Sequence, residues 1–131
     1  MSTPFGLIGR TALVTGGASG IGEATSRVLA GAGARVLIVD IDRTRAERLA
    51  SELPDAAPLV CDISDEPAVR RMFAGIPSLD ILVNNAGIGL VGNIEETELA
   101  DFQRLFRVNV EGMFLVTRHA LPLLVASHGA I

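Results

Sequence analysis

Hydrophobic and polar positions along this chain alternate between two patterns. Short unbroken apolar runs, β-branched and aliphatic, occupy residues 11–15 (TALVT) and 34–40 (ARVLIVD). Runs of that kind suit strands buried on both faces of a sheet. Between them the apolar residues recur at helical spacing. The segment Glu23–Leu29 predicts a helix that opens near Ile21 or Gly22, with Gly31 and Gly33 to stop it. Residues 43–53 predict a charged helix with Ala46, Leu49, Ala50 and Leu53 on one face, ending before Pro54.

A third strand is expected from about Pro58 to Cys61. The helix after it can be capped by Ser64, carries acids in its first turn and tolerates Pro67 there. Residues 79–87 (LDILVNNAG) predict a fourth strand and a second turn, and Glu98–Ser127 one long helix with a kink at Pro122. Four strand–helix units in strict alternation predict an α/β fold: a doubly wound parallel sheet of Rossmann type, in one domain spanning residues 1–131. Such sheets hold ligands at the carboxyl ends of their strands. The unusual residues of this chain fall there: Thr15–Gly22, Asp40, Asp62 and Asn84–Gly87.

Composition narrows the picture. Apolar residues make up 49% of the chain but aromatics only 4%, with no Trp and no Tyr, so an aliphatic core is expected. Acids outnumber bases 15 to 11, and every base is an arginine. A net charge of −4 without a basic cluster argues against nucleic acid, whose phosphates demand Lys and Arg. No apolar run approaches the ~18 residues of a spanning helix, so no membrane partner is expected. The N-terminus has no signal-peptide pattern, and the lone Cys61 reads as a small buried hydrophobe. A cytoplasmic protein is the expectation. His119, placed on the helix surface, and His128, in a closing loop, lack partners at ligand spacing, so no metal site is expected.

The candidate chemistry starts at TGGASGIG, where Gly16, Gly20 and Gly22 follow a strand and open a helix. Backbone of that kind can press against a phosphate while the helix N-terminus points free N–H groups at it. Asp40, 20 residues past Gly20, is placed to accept hydrogen bonds from the ribose hydroxyls of an adenine nucleotide, or simply to open the next turn. A P-loop nucleotidase is excluded, since the chain has no Lys.

The turn TGGASGIG resembles the T-G-x-x-x-G-x-G turn of the short-chain dehydrogenases/reductases. NNAG at 84–87 is similar to that family's second signature, CDISD at 61–65 to its third-strand ending and NVEG at 109–112 to its N-x-x-G helix motif. The resemblance runs in order over nearly the whole chain. It implies a dinucleotide cradled by Gly16, Ser19, Gly20, Ile21 and Gly22. The family's NADP-preferring members carry a base beside the ribose acid; here Asp40 has Ser19 and Ile41 as neighbours, so NAD is expected over NADP. By the same resemblance Asp62 would take the adenine amino group with the Ile63 N–H beside it, although Asp62 can equally cap the following turn. The backbone of Asn84, Ala86 and Gly87 would pass the ribose, and Asn85 would bridge neighbouring strands. Asn109 would bend the helix and hold a water of the proton relay, which makes it the catalytic residue of this chain; the plainer reading bonds it to a preceding carbonyl.

Members of the family use a Tyr as general acid/base, a Lys four residues on and an upstream Ser. This chain has no Tyr and no Lys, and its closing SHGAI resembles the lead-in to the family's fifth strand. The resemblance therefore implies the cofactor half of an NAD-dependent oxidoreductase that moves hydride between nicotinamide and a small-molecule secondary alcohol or ketone. It would be truncated after the fourth βα unit, inactive alone, and a homo-oligomer through the long helix near Glu98–Ser127. The alternative is a non-catalytic dinucleotide-binding or interaction module; a methyltransferase-like sheet binding S-adenosylmethionine is a weaker third.

Overall fold

The computed structural model describes residues 6–131. Four strands, β1 (Thr11–Thr15), β2 (Arg35–Asp40), β3 (Ala56–Val60) and β4 (Ile81–Val83), form one parallel sheet in the order β3-β2-β1-β4. The order reverses at β1, which gives the doubly wound arrangement and opens a crevice beyond the carboxyl ends of β1 and β4.

Successive side chains of β1 and β2 point to opposite faces, and both faces are covered, so these strands are apolar throughout. Ala12, Val14, Val36 and Ile38 pack on one side with Ala46 and Leu49, under the helices α1 (Gly20–Gly31) and α2 (Arg43–Glu52). Leu13, Leu37, Val39 and Leu82 pack on the other with Val69, Phe73, Val116 and Ala120, from α3 (Glu66–Ala74) and α5 (Met113–Ser127). The aliphatic composition thus divides into two layers separated by the sheet.

The boundaries differ from the sequence expectations in ways that have physical causes. Gly31 belongs to α1, and the chain turns at Gly33. β3 begins at Ala56 and carries Pro58 inside it, which the edge position allows because a proline needs no ladder partner on its open side. Asp65, not Ser64, occupies the N-cap of α3. β4 has only three residues; past Val83 the chain leaves the ladder and runs extended over the top of β1.

The long C-terminal helix is continuous but not uniform. It consists of α4 (Leu99–Phe106), a π-helical segment (Arg107–Gly112) and α5, and it passes Pro122 without ending. His128 closes it in the left-handed conformation, φ 55°. His119 is not a surface residue: it stacks on Phe73 with ring centroids 6.1 Å apart, and its Nε2 is buried without a partner among the described residues. After the helix, Ala130 bridges to Ile81 in parallel register, along the side of β4 away from β1.

Candidate functional site

The glycine turn is shaped by the residues that hold it. Gly16 has φ +60°, and a Cβ there would lie 3.0 Å from the Ala86 Cα; no other residue combines that conformation with that clearance. A Cβ on Gly22 would run into the Gly16 carbonyl oxygen, so the first turn of α1 sits directly on the loop it follows. From α1, the buried Ser26 hydroxyl donates to the Gly17 carbonyl at 3.1 Å. The Glu23 N–H reaches the Ser19 carbonyl at 3.1 Å. The N–H groups of Gly20, Ile21 and Gly22 precede that bond and are left for a partner at the positive end of the helix.

Asp40 ties the second strand to this turn. One carboxylate oxygen accepts from the Ala18 N–H at 3.1 Å and the other from the Asp42 N–H at 3.0 Å. Asp40 thus opens the next turn, as one of the two sequence readings has it, and two of a carboxylate's about four acceptor sites remain. Asp42 in turn caps α2 by accepting from the Arg45 N–H at 3.0 Å. Asp62 accepts from the Ser64 N–H and hydroxyl at 3.0 and 2.7 Å through the same oxygen. Its other oxygen has no described partner, and the side chain is exposed.

Thr15 joins the two glycine-bearing segments, a role that sequence reasoning missed. Its hydroxyl donates to the Val83 carbonyl and accepts from the N–H groups of Asn85 and Ala86, both at 3.0 Å, which exhausts a hydroxyl's capacity. The Asn85 amide donates to the carbonyls of Thr15 and Gly16 at 3.2 Å, bridging strands as expected. Asn84 turns the other way: its amide donates to the Thr117 hydroxyl at 3.0 Å, and its Oδ1 is buried without a partner. A threonine ahead of the turn and a doubled asparagine were the only sequence signals of this lock.

Asn109 lies in the π-helical segment and grips the peptide of Ile88. Its Oδ1 accepts from the Ile88 N–H at 2.8 Å and its amide donates to the Ile88 carbonyl at 2.9 Å. Gly87 passes beneath it, where a Cβ would meet the Asn109 Oδ1 at 3.3 Å. A π turn is a common way for a helix to aim one side chain at a site.

These segments surround one cavity of ≈ 380 Å³ above the carboxyl ends of the strands. Gly16 and Ser19 of the glycine turn line it together with Asp40 and Ile41, Asp62 and Ile63, and Ala86 and Gly87. Asn84, Gly20, Ile21 and Gly22 do not line it, although the last three belong to the helix terminus that follows Ser19. Two residues that the sequence reading passed over, Arg104 and Arg107, also line it. Cys61 also touches the cavity, and burial, followed by the charges of Asp62 and Asp65, pushes its thiol above the ordinary range. Among the described residues no group of three or more His, Cys, Asp or Glu is placed to hold a metal ion, and no helix is long and apolar enough to cross a membrane.

A strand–glycine turn–helix with an acid after β2, on a sheet whose order reverses at β1, defines a Rossmann-type nucleotide-binding fold. The chain belongs to the short chain dehydrogenase family, whose pattern it matches over residues 10–131. It is 37% identical to (+)-borneol dehydrogenase 2 of Salvia officinalis, over 99% of this chain and 50% of that protein. To 3-beta-hydroxysteroid dehydrogenase of Comamonas testosteroni it is 38% identical, over 95% of this chain and 51% of the other. Among solved structures it superposes on 3-ketoacyl-(acyl-carrier-protein) reductase from Brucella melitensis in complex with NADH, with TM-score 0.82 and 44% identity over 89% of this chain and 51% of that one. The Pseudomonas aeruginosa RhlG/NADP complex matches with TM-score 0.87 and 37% identity, over 97% and 52%. The chain therefore spans about half the length of the relatives it matches, and those relatives include both an NADH and an NADP complex.

Proposed function

We propose that these residues form the dinucleotide-binding half of an NAD-dependent dehydrogenase/reductase acting on a secondary alcohol or ketone. The observation that carries this reading is one cavity in which the glycine turn, Asp40, Asp62 and the Ala86–Gly87 backbone face one another. The residues fit an adenine dinucleotide. Unbonded N–H groups of Gly20, Ile21 and Gly22 stand where a pyrophosphate needs donors, with Ser19 beside them. Asp40 keeps acceptor capacity for two ribose hydroxyls, and the free oxygen of Asp62 with the Ile63 N–H can serve an adenine edge. Ile41 and Ile63 supply apolar walls, while Ala86 and Gly87 would present backbone to the second ribose, with Asn84 behind them. A bound nicotinamide would supply the hydride acceptor.

Within this half, Asn109 is the residue assigned to proton relay. Its grip on Ile88 uses one amide hydrogen and one lone pair, leaving one of each for a water. The chain contains no Tyr and no Lys, so in this proposal the general acid/base and its tuning cation belong to the half of the enzyme outside these residues. Asp40 selects NAD over NADP by repelling a 2′-phosphate. A row of exposed apolar residues along α4 and α5, including Phe102, Phe106, Val110, Phe114 and Leu121, supports a homo-oligomer through this helix. A free buried Cys61 supports a reducing, cytoplasmic setting.

Calorimetric titration with NAD and NADP tests the reading. Saturable NAD binding that is at least tenfold tighter than NADP binding is expected. Absence of binding by either dinucleotide would leave the non-catalytic interaction module as the better account.

A further inference from the structure

Arg104 and Arg107 stand one helical turn apart, so their side chains share a face of the helix. Both residues line the cavity that Asp40 and Asp62 also line. Six of the chain's arginines are held in ion pairs, at positions 10, 27, 43, 45, 48 and 70. Arg104 and Arg107 make neither an ion pair nor a side-chain hydrogen bond among the described residues, and both are exposed. Their guanidinium groups are therefore available to a ligand in the site.

The two acids alone would give this cavity a charge of −2, which opposes the entry of an anionic nucleotide. Two guanidinium groups in the same lining bring its formal charge back to neutrality. A guanidinium is also planar and weakly hydrated, so it lies flat on a base face where an ammonium would keep its water. The lining is also apolar at Ile41, Ile63 and Val108. A flat heteroaromatic base entering there has both aliphatic side chains and arginine within its walls.

Resting on the dinucleotide reading above, we propose that Arg104 and Arg107 form the outer wall of the base-binding pocket, stacking on the adenine and balancing the charge of Asp40 and Asp62. They then set affinity for the adenosine end of the ligand and leave the nicotinamide end untouched.

The test compares the wild-type protein with the double variants Arg104→Met/Arg107→Met and Arg104→Lys/Arg107→Lys, titrated calorimetrically with AMP, NAD and nicotinamide mononucleotide. Both side chains are exposed, and an unchanged thermal midpoint verifies that the fold is retained. The Met variant is expected to bind AMP and NAD five- to tenfold more weakly, with mononucleotide affinity unchanged. The Lys variant, keeping charge without a planar group, is expected to recover less than half of that loss. AMP affinity within twofold of wild type in the Met variant would overturn the proposal, and full recovery by Lys would overturn the stacking. A wild-type preference for NADP that vanishes in the Met variant would assign the arginines to a 2′-phosphate instead. A wild type that binds neither AMP nor NAD would refute the dinucleotide reading itself, an outcome distinct from the other three.

Discussion

Replacing Asp40 by Asn separates the carboxylate's two roles. The carboxylate accepts from Ala18 in the glycine turn and from Asp42 at the head of α2. An Asn keeps one oxygen, which stays with the Ala18 N–H because that bond is partly buried. Its NH2 group then faces the Asp42 N–H, which lies at the surface and can turn to water. The loss in stability should be small, about 1 kcal/mol, which corresponds to a thermal midpoint lowered by roughly 4 °C. The effect on ligands is larger and opposite for the two dinucleotides. A 2′-phosphate about 4 Å from a carboxylate is repelled by about 4 kcal/mol at an effective dielectric of 20, and solvent at this half-exposed site brings that to ~2 kcal/mol. NADP binding should therefore tighten by roughly 30-fold. NAD loses charge-assisted bonds to its ribose and should weaken by about 1.5 kcal/mol, roughly tenfold. Titration of both dinucleotides into wild type and variant measures the ratio, expected to move by two orders of magnitude. A ratio that stays within threefold would refute the assignment of Asp40 to the ribose, whatever the thermal midpoint does.

Other outcomes follow from particular contacts. Thr15→Val keeps the shape but strands the Ala86 N–H, while the Asn85 N–H keeps the Val83 carbonyl at 3.1 Å, a cost of about 1–3 kcal/mol; thermal unfolding should fall by roughly 4–10 °C, and a drop under 2 °C would contradict the lock. Glu23 meets Arg27 and Arg48, which hold its carboxyl below the ordinary value of 4.5, and Glu52 closes the ring between the two arginines. Its contribution is present above that value and lost as pH falls through the lowered one, so wild type and Glu23→Gln should differ in denaturant midpoint at pH 7 and converge as the pH falls below the lowered value. Equal midpoints at pH 7 would remove the ring from the account. Cys61 should react with a thiol reagent at pH 8 far more slowly than an unfolded control, and more slowly still with saturating NAD; an unprotected thiol would argue that the ligand lies elsewhere. Phe106→Glu with Phe114→Glu should shift the sedimentation coefficient toward that of a monomer, and a wild type already monomeric at micromolar concentration would overturn assembly through this face.

Sequence alone was enough for the architecture because each element announces itself locally. A short apolar run bounded by turn residues suits a strand covered on both sides, and β1 and β2 have such runs at their centres. Helical spacing with a charged outer face placed α1, α2 and α3 to within a few residues. Asp40 and Asp62 were legible as strand-terminal acids, and Gly16 and Gly22 as residues needed at close approach. The errors came where tertiary context overrides a local rule. Pro58 looked like the start of a strand, yet an edge position let the strand begin before it. His119 looked like a surface residue because its own helix says nothing of Phe73 on α3.

What only the tertiary structure decided is how distant residues complete one another. No pattern of neighbours reveals that the Thr15 hydroxyl accepts from backbone 70 residues further on, or that Asn109 holds the peptide of Ile88. Nothing in the sequence singled out Arg104 and Arg107, and only the tertiary structure brings them into the lining that Asp40 and Asp62 share. Periodicity is a property of one segment and the chain displays it directly. A binding site is a property of several segments at once, so it exists only after the sheet has brought their ends to a common edge.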